Sequence, residues 1–259
     1  MLMNDGKKFF ANNVVSSTGI FNTYEKLIPQ SVSQKYQLNQ QLEKVNPSVA
    51  HACLYLGLKG SPEKLKLPKN NLWVYPEKGD HDTIVENYLS DSKAPFPVVY
   101  ISFPAAKDPS WSERYPDRST IDVITLLPFD LVKEWQGTQW MKRGKKYEEL
   151  KEKMSKRLLE TLYHQLPHLK GKIDHYELST PLTTQNFMNY KEGEIYGIDH
   201  TPQRFRQKFL QPRTPIKNFY LTGQDIISAG VGGALFSGVV TASAMEGKNL
   251  VKMVYRAKT

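Results

Sequence analysis

Asn218-Phe219-Tyr220-Leu221-Thr222-Gly223-Gln224-Asp225 is a short apolar run with a glycine-containing polar end, and Ile226-Ile227-Ser228-Ala229-Gly230-Val231-Gly232-Gly233 leads from it into the small-residue stretch 234–245. The run is flanked by breakers, as a buried parallel strand would be. The residues after it predict a turn and then a helix. Three glycines within four residues, 230–233, allow positive φ angles and let backbone come close to a ligand. The N–H groups and positive dipole end of the helix favour a negatively charged or carbonyl-bearing group there. Gly230, Ala234, Gly238 and Ala242 recur every fourth residue, so one helix face is expected to be nearly bare and to press on a sheet or a flat ring. Asp225, at the strand end, is expected to accept hydrogen bonds from ligand hydroxyls. The same pattern suits a plain helix–sheet contact in an α/β protein. The sharper reading is part of a dinucleotide cofactor site.

Upstream of this stretch, residues 180–217 read as loop, punctuated by Pro181, Gly193, Gly197, Pro202, Pro212 and Pro215. Between about 31 and 179 the pattern is different. Runs rich in β-branched and aromatic residues predict strands at 51–58, 72–75, 98–103, 120–127 and 173–179, forming an antiparallel sheet. Leu150, Met154, Leu158, Leu159 and Leu162 repeat at helical spacing and predict one long helix over 147–165. At the other end, Asp5-Gly6 is a hairpin dipeptide, and a strand-like segment 7–11 and a second apolar run, Val14-Val15, come after it. Only four residues precede Asp5, so the chain is expected to begin inside a domain. A small-residue loop, Ser16-Ser17-Thr18-Gly19, leads into a short helical pattern over 24–28. Both ends of the chain thus have the same α/β character, and the middle reads as an insertion. The expected division is 1–30 and 180–259 for one domain, with 31–179 as a second, mainly antiparallel one.

Composition excludes several classes. With 259 residues, 39% hydrophobic and 24% charged, most of the chain is expected to fold. A single cysteine, Cys53, forbids an internal disulfide or a cysteine metal cluster and suits a reducing, cytoplasmic setting. No apolar stretch approaches the ~18 residues of a membrane span, so a soluble or peripherally attached protein is expected. The net charge of +9 is concentrated between Lys133 and Lys172, including Lys142-Arg143 and Lys145-Lys146. It fits a solvated helix face or an anionic membrane surface. Nucleic acid is not expected, because no reader motif interleaves aromatics with these charges.

The stretch 218–225, with its glycine turn and small-residue helix, closely resembles the C-terminal flavin-binding motif of the retinol saturase, carotenoid isomerase and phytoene desaturase family. Leu178-Ser179-Thr180-Pro181-Leu182-Thr183 and Tyr196-Gly197-Ile198-Asp199-His200 also look like that family, nearest its retinol saturase branch. Asp5-Gly6 through Val14-Val15-Ser16-Ser17 resembles the hairpin and strand that end the first part of its FAD domain. The resemblance implies a mixed α/β fold in which an incomplete Rossmann-like FAD domain carries an inserted antiparallel substrate domain. It implies an FAD-dependent oxidoreductase acting on carbon–carbon double bonds of a lipophilic polyene or isoprenoid. Asp225 would meet the ribityl or pyrophosphate region of FAD. The Gly232-Gly233 backbone would approach the isoalloxazine at the helix start, Gly223, Gly230 and Val231 would also bind the cofactor, and Val14, Val15 and Ser16 would line the adenine side more loosely.

The family's glycine-rich dinucleotide fingerprint, with its acidic residue at the end of the next strand, has no counterpart in this sequence. The expectation is therefore a C-terminal part of a longer enzyme whose N-terminal half lies on an upstream or separate chain. Two alternatives stand beside it: a catalytically incomplete fragment or split subunit, and a non-catalytic basic protein of the membrane surface. No catalytic side chain is evident. His200 is the candidate to test first, because it lies in the segment resembling the family's ring-proximal loop. The histidines share no metal-like spacing, and no metal site is expected. Trp73, Tyr75, Tyr100, Phe103, Phe129, Trp135 and Trp140 suit either a polyene tunnel or sheet core.

Overall fold

The protein is described from a computed structural model covering residues 1–76 and 78–257. Its strands are β1 (Val14–Ser16), β2 (His51–Lys59), β3 (Leu72–Val74), β4 (Val99–Ser102), β5 (Arg118–Leu126), β6 (Ile173–Ser179) and β7 (Phe219–Leu221). The helices that matter below are α1 (His81–Ser90), α2 (Lys145–Gln165), α3 (Pro181–Met188) and α4 (Gly230–Glu246), with shorter helical turns between them. The chain divides into two compact units, one of Val49–Glu194 and one of Met1–Ser48 with the residues from Ile195 onward.

The unit Val49–Glu194 is built on a five-stranded antiparallel sheet in the order β3-β4-β5-β2-β6. In β2, Ala52, Leu54, Leu56 and Leu58 alternate onto one face and are fully or almost fully buried. Ile121 and Val123 of β5 and Val99 and Ile101 of β4 join them. α2 covers this face with Met154, Leu158 and Leu162, the stripe that its sequence spacing predicts. Each such side chain contributes about 1.5–3 kcal/mol by leaving water. The helix begins after Gly144, at φ +87°, and stops before Pro167, whose missing N–H cannot continue the ladder.

Two helices in this unit escape the sequence reading. α1 is capped by Asp80, whose carboxylate accepts from the Thr83 N–H at 3.1 Å, and it sends the buried Tyr88 to donate to the Leu126 carbonyl at 2.9 Å. α3 starts at a capping box of Thr180 and Thr183 with Pro181 in its first turn. The sequence reading takes Pro181 as loop punctuation, whereas Thr-Pro is here a helix start. The Thr180 hydroxyl also bonds the Tyr147 hydroxyl of α2 at 2.6 Å.

In the other unit β1 and β7 pair in parallel, Val14 with Phe219 through Ser16 with Leu221. Its core joins Ile20, Phe21, Tyr24, Leu38, Leu42, Val45, Ile198, Leu221 and Ile226. Residues 31–48 thus pack with the chain ends, and α3 comes after β6 within the sheet unit. The compact units accordingly break at 48/49 and 194/195 instead of the expected 30/31 and 179/180.

The N-terminal hairpin is also smaller than expected. The Asp5-Gly6 turn closes, with the Met3 N–H on the Lys7 carbonyl at 2.9 Å, but pairing ends at one bridge, Leu2 with Lys8. Residues 7–11 form no strand. Phe9 and Phe10 stay exposed, and a lone hairpin without a buried face is marginal in water.

Candidate functional site

The turn from β7 into α4 is held from beneath by hydroxyls. The Gly223 N–H donates to Ser237 Oγ at 2.7 Å, and the Thr241 hydroxyl donates to the Leu221 carbonyl at 2.9 Å. The buried face of α4 is therefore Gly233, Ser237 and Thr241. The bare face expected at Gly230, Ala234, Gly238 and Ala242 does not press on the sheet, because a Cβ added at Gly230 or Gly238 would meet no atom within 4 Å. Gly233 is the glycine that packing demands, since any Cβ there would run into the Ser228 carbonyl. Both faces have period four. Hydroxyls that satisfy buried carbonyls and N–H groups at the strand end decide which one turns inward.

Asp225 is 4% exposed, and both carboxylate oxygens are occupied. Oδ2 accepts the Ile20 N–H at 2.7 Å and Oδ1 accepts the Ile198 N–H at 3.0 Å. It braces the segments around residues 20, 198 and 225 and leaves little surface for the ligand hydroxyls expected of it. Gly197, at φ +65°, lies so close beneath this carboxylate that a Cβ would strike Oδ1. Burial raises the Asp225 pKa, against the opposing pull of the two N–H bonds and of Arg204.

Arg204, in the helical turn Pro202–Phe205, is the functional-site residue that the sequence reading missed. It is 2% exposed, donating from Nη1 to the Ile198 carbonyl at 3.0 Å and from Nη2 to the Gln224 carbonyl at 2.6 Å. One guanidinium thus locks the His200 loop to the β7–α4 turn. Nothing in its local sequence marks it, since an arginine among Gln203, Arg206 and Lys208 reads as surface.

His200 does lie at this turn. Its Nε2 accepts the Ala229 N–H at 2.8 Å, and Arg204 Nη1 lies 2.9 Å from each ring nitrogen. Burial and then the Arg204 charge lower its pKa, so the ring is neutral at neutral pH. With Gln224 Oε1 accepting the Gly230 N–H at 3.4 Å, His200 sets the entry of α4.

Beyond that entry the helix start is open. Val231 is 86% exposed, and a Cβ at Gly230 or Gly232 would occupy free space. A flat group can approach backbone here. Ser16 is buried, with its hydroxyl 2.7 Å from that of Thr23, whereas Val15 is exposed; Gly223 takes φ +103° at the strand end. The residues present thus fit the ring edge of a flavin at 230–232. They do not fit its ribityl or pyrophosphate region at Asp225.

The sheet unit separates the aromatics. Phe103 is core, and Trp135 packs edge-on against Tyr147 at 5.3 Å. Trp73 and Tyr100, in edge contact at 4.7 Å, share with Tyr55 and Ile124 the sheet face opposite α2. Trp140 touches Phe187 at the surface. Asp174 is a solvated strand-end carboxylate, paired with Lys59 and Arg118 at 2.8 Å each. Cys53 is buried and its thiol pKa is pushed up to about 12. Among the described residues no group of His, Cys, Asp or Glu is arranged to hold a metal, and no helix is long and apolar enough to cross a membrane.

No protein-family model matches the chain. It is 38% identical to all-trans-retinol 13,14-reductase of Rattus norvegicus over 244 residues, which is 92% of this chain and 40% of the relative. A Danio rerio protein named inactive all-trans-retinol 13,14-reductase is 30% identical over 91% of this chain and 40% of its own length. Chloroplastic prolycopene isomerase of Arabidopsis thaliana is 24% identical over 92% of this chain and 37% of its own. The chain thus spans about two-fifths of the length of the curated relatives it matches.

Proposed function

We propose that this chain, similar in sequence to the all-trans-retinol 13,14-reductases, is the C-terminal part of a flavin-dependent oxidoreductase that reduces, desaturates or isomerises carbon–carbon double bonds of a lipophilic polyene or isoprenoid. The observation that carries the reading is the open, glycine-lined start of α4, in a chain whose similarity to proteins so named extends over 92% of its length. FAD, when bound, supplies the hydride chemistry, and the protein supplies orientation and exclusion of water. Residues 230–232 would hold the ring edge. His200 and Gln224 hold the helix entry, and Arg204 with Asp225 fixes the loops beneath it. In the sheet unit, Trp73, Tyr100, Tyr55 and Ile124 share a face with Asp122, Ser102 and Glu177, and its aromatic part, Trp73 with Tyr100, is the surface that would suit a polyene.

The test is a visible absorbance spectrum of the purified chain after incubation with FAD and gel filtration. A retained flavin spectrum that is lost in Gly232→Ala supports ring contact at this turn. Gly232 has no positive φ and open space around it, so alanine is expected to stabilise the helix by about 0.5–1 kcal/mol while obstructing the ring. Unchanged flavin retention in Gly232→Ala would place the ring elsewhere.

A second reading is favoured by the two-fifths coverage and by the relative named inactive: a catalytically incomplete subunit that takes flavin only with an N-terminal partner. Its signature is a flavin spectrum that appears only on co-expression with a segment carrying the glycine-rich fingerprint.

A further inference from the structure

We propose that the surface tip formed by Trp140, Met141, Phe187 and Met188 inserts into the headgroup region of an anionic lipid bilayer. The tip is built from two neighbouring elements of the sheet unit. α3 starts buried at Pro181 and Leu182 and ends exposed, with Phe187 61% accessible. The loop before α2 brings up Trp140, whose ring meets that of Phe187 edge-on with centroids 5.1 Å apart, and Met141, 74% accessible. Arg143 ties the loop to the root of α3, donating to the Leu182 carbonyl at 3.4 Å and lying 5.2 Å from the Tyr147 ring centroid.

Four large apolar side chains therefore reach water on a braced support. Lys142, Arg143, Lys145 and Lys146 come directly after the tip in the chain, and all but Arg143 are exposed. The nearest carboxylates in sequence are Glu148 and Glu149. Among the described residues only Lys145 of these bases is ion-paired, with Glu149 at 3.7 Å on an exposed helix surface, where such a pair is weak. Apolar side chains including a tryptophan, rimmed by lysines, suit the boundary between acyl chains and anionic headgroups. A protein partner is the poorer fit, because lysine is depleted at protein–protein contacts.

This inference stands apart from the flavin reading, since a chain that takes up no flavin still tests it. The full chain is mixed with phosphatidylcholine vesicles with and without phosphatidylserine, and with vesicles whose acyl chains carry bromine. Co-sedimentation is expected only with phosphatidylserine, falling as salt is added. Quenching by bromolipid is expected in the wild type and not in Trp140→Phe. Neutralising Lys142, Lys145 or Lys146 to alanine is expected to lower partitioning about fivefold per residue, equivalent to ~1 kcal/mol for each basic residue near the surface. Lys156→Ala, on the exposed face of α2, is expected to change little. The variants Met141→Ser and Phe187→Ser are expected to lose binding with an unchanged circular dichroism spectrum. Equal binding to both vesicle types, no quenching assigned to Trp140, or self-association through the tip in place of lipid binding would overturn the proposal.

Discussion

Arg204→Met is expected to cost the unit that contains it about 3–5 kcal/mol, read as a lowered urea midpoint with an unchanged slope. The guanidinium is buried, so its charge is not one that water can replace. Its loss strips the Ile198 and Gln224 carbonyls of a charged donor and leaves the buried Asp225 without the positive charge that favours its ionised form. Methionine fills much of the volume and provides none of these bonds. The pH dependence supplies a second readout. Burial raises the Asp225 pKa, so the folded state favours its protonated form, and the stability tied to that group is present below the ordinary carboxylate range and lost as pH rises through the raised value. A protonated Asp225 needs no counter-charge. The penalty of Arg204→Met should therefore be smallest in acid and grow toward neutral pH. A penalty that does not change with pH would mean that the two groups are not coupled.

Leu158→Ala should be comparably severe in the sheet unit, at about 3–5 kcal/mol. Leu158 has no exposed surface and sits mid-helix among Met154, Leu162 and the buried faces of β2, β4 and β5. Truncation removes its transfer energy and leaves a cavity in a wall of residues held by a nine-residue strand pairing, His51 to Lys59 against Leu126 to Arg118, that cannot easily close in. Lys156→Ala, two residues away on the solvated face, is expected to stay within about 0.5 kcal/mol of wild type. Arg204 and Leu158 lie in different cores and share no partner, so the double variant should lose the sum of the two. A shortfall well beyond measurement error would reveal coupling between the units.

The strands and the long helix were legible because their signals are local and repeated. The β2 alternation and the α2 leucine stripe each hold one period over several turns or pairs, and burial enforces that period. Short elements lack such redundancy. α3 has eight residues and no stripe, so only Thr180-Pro181 announced it, and a proline reads equally as a loop mark. The division between units was misplaced for a related reason. Leu38, Leu42 and Val45 are apolar positions like any others until Ile198 and Leu221, far along the chain, supply the surface they bury.

At the β7–α4 turn a good deal could be read from the residues alone. Breakers around 218–222, the glycines of 230–233 and the run of small residues after them sufficed to predict a parallel strand, a turn and a close-packed helix, because backbone conformation and side-chain volume are properties of the residues themselves. Which helix face packs, and what the polar residues do, emerged only from the folded arrangement. Asp225 turned from a ligand contact into a brace because the N–H groups of Ile20 and Ile198, far away in the chain, reach it first. Arg204 became central because its partners are carbonyls of two folded loops. A hydrogen bond to backbone depends on where the backbone goes, and no side chain's identity encodes that alone.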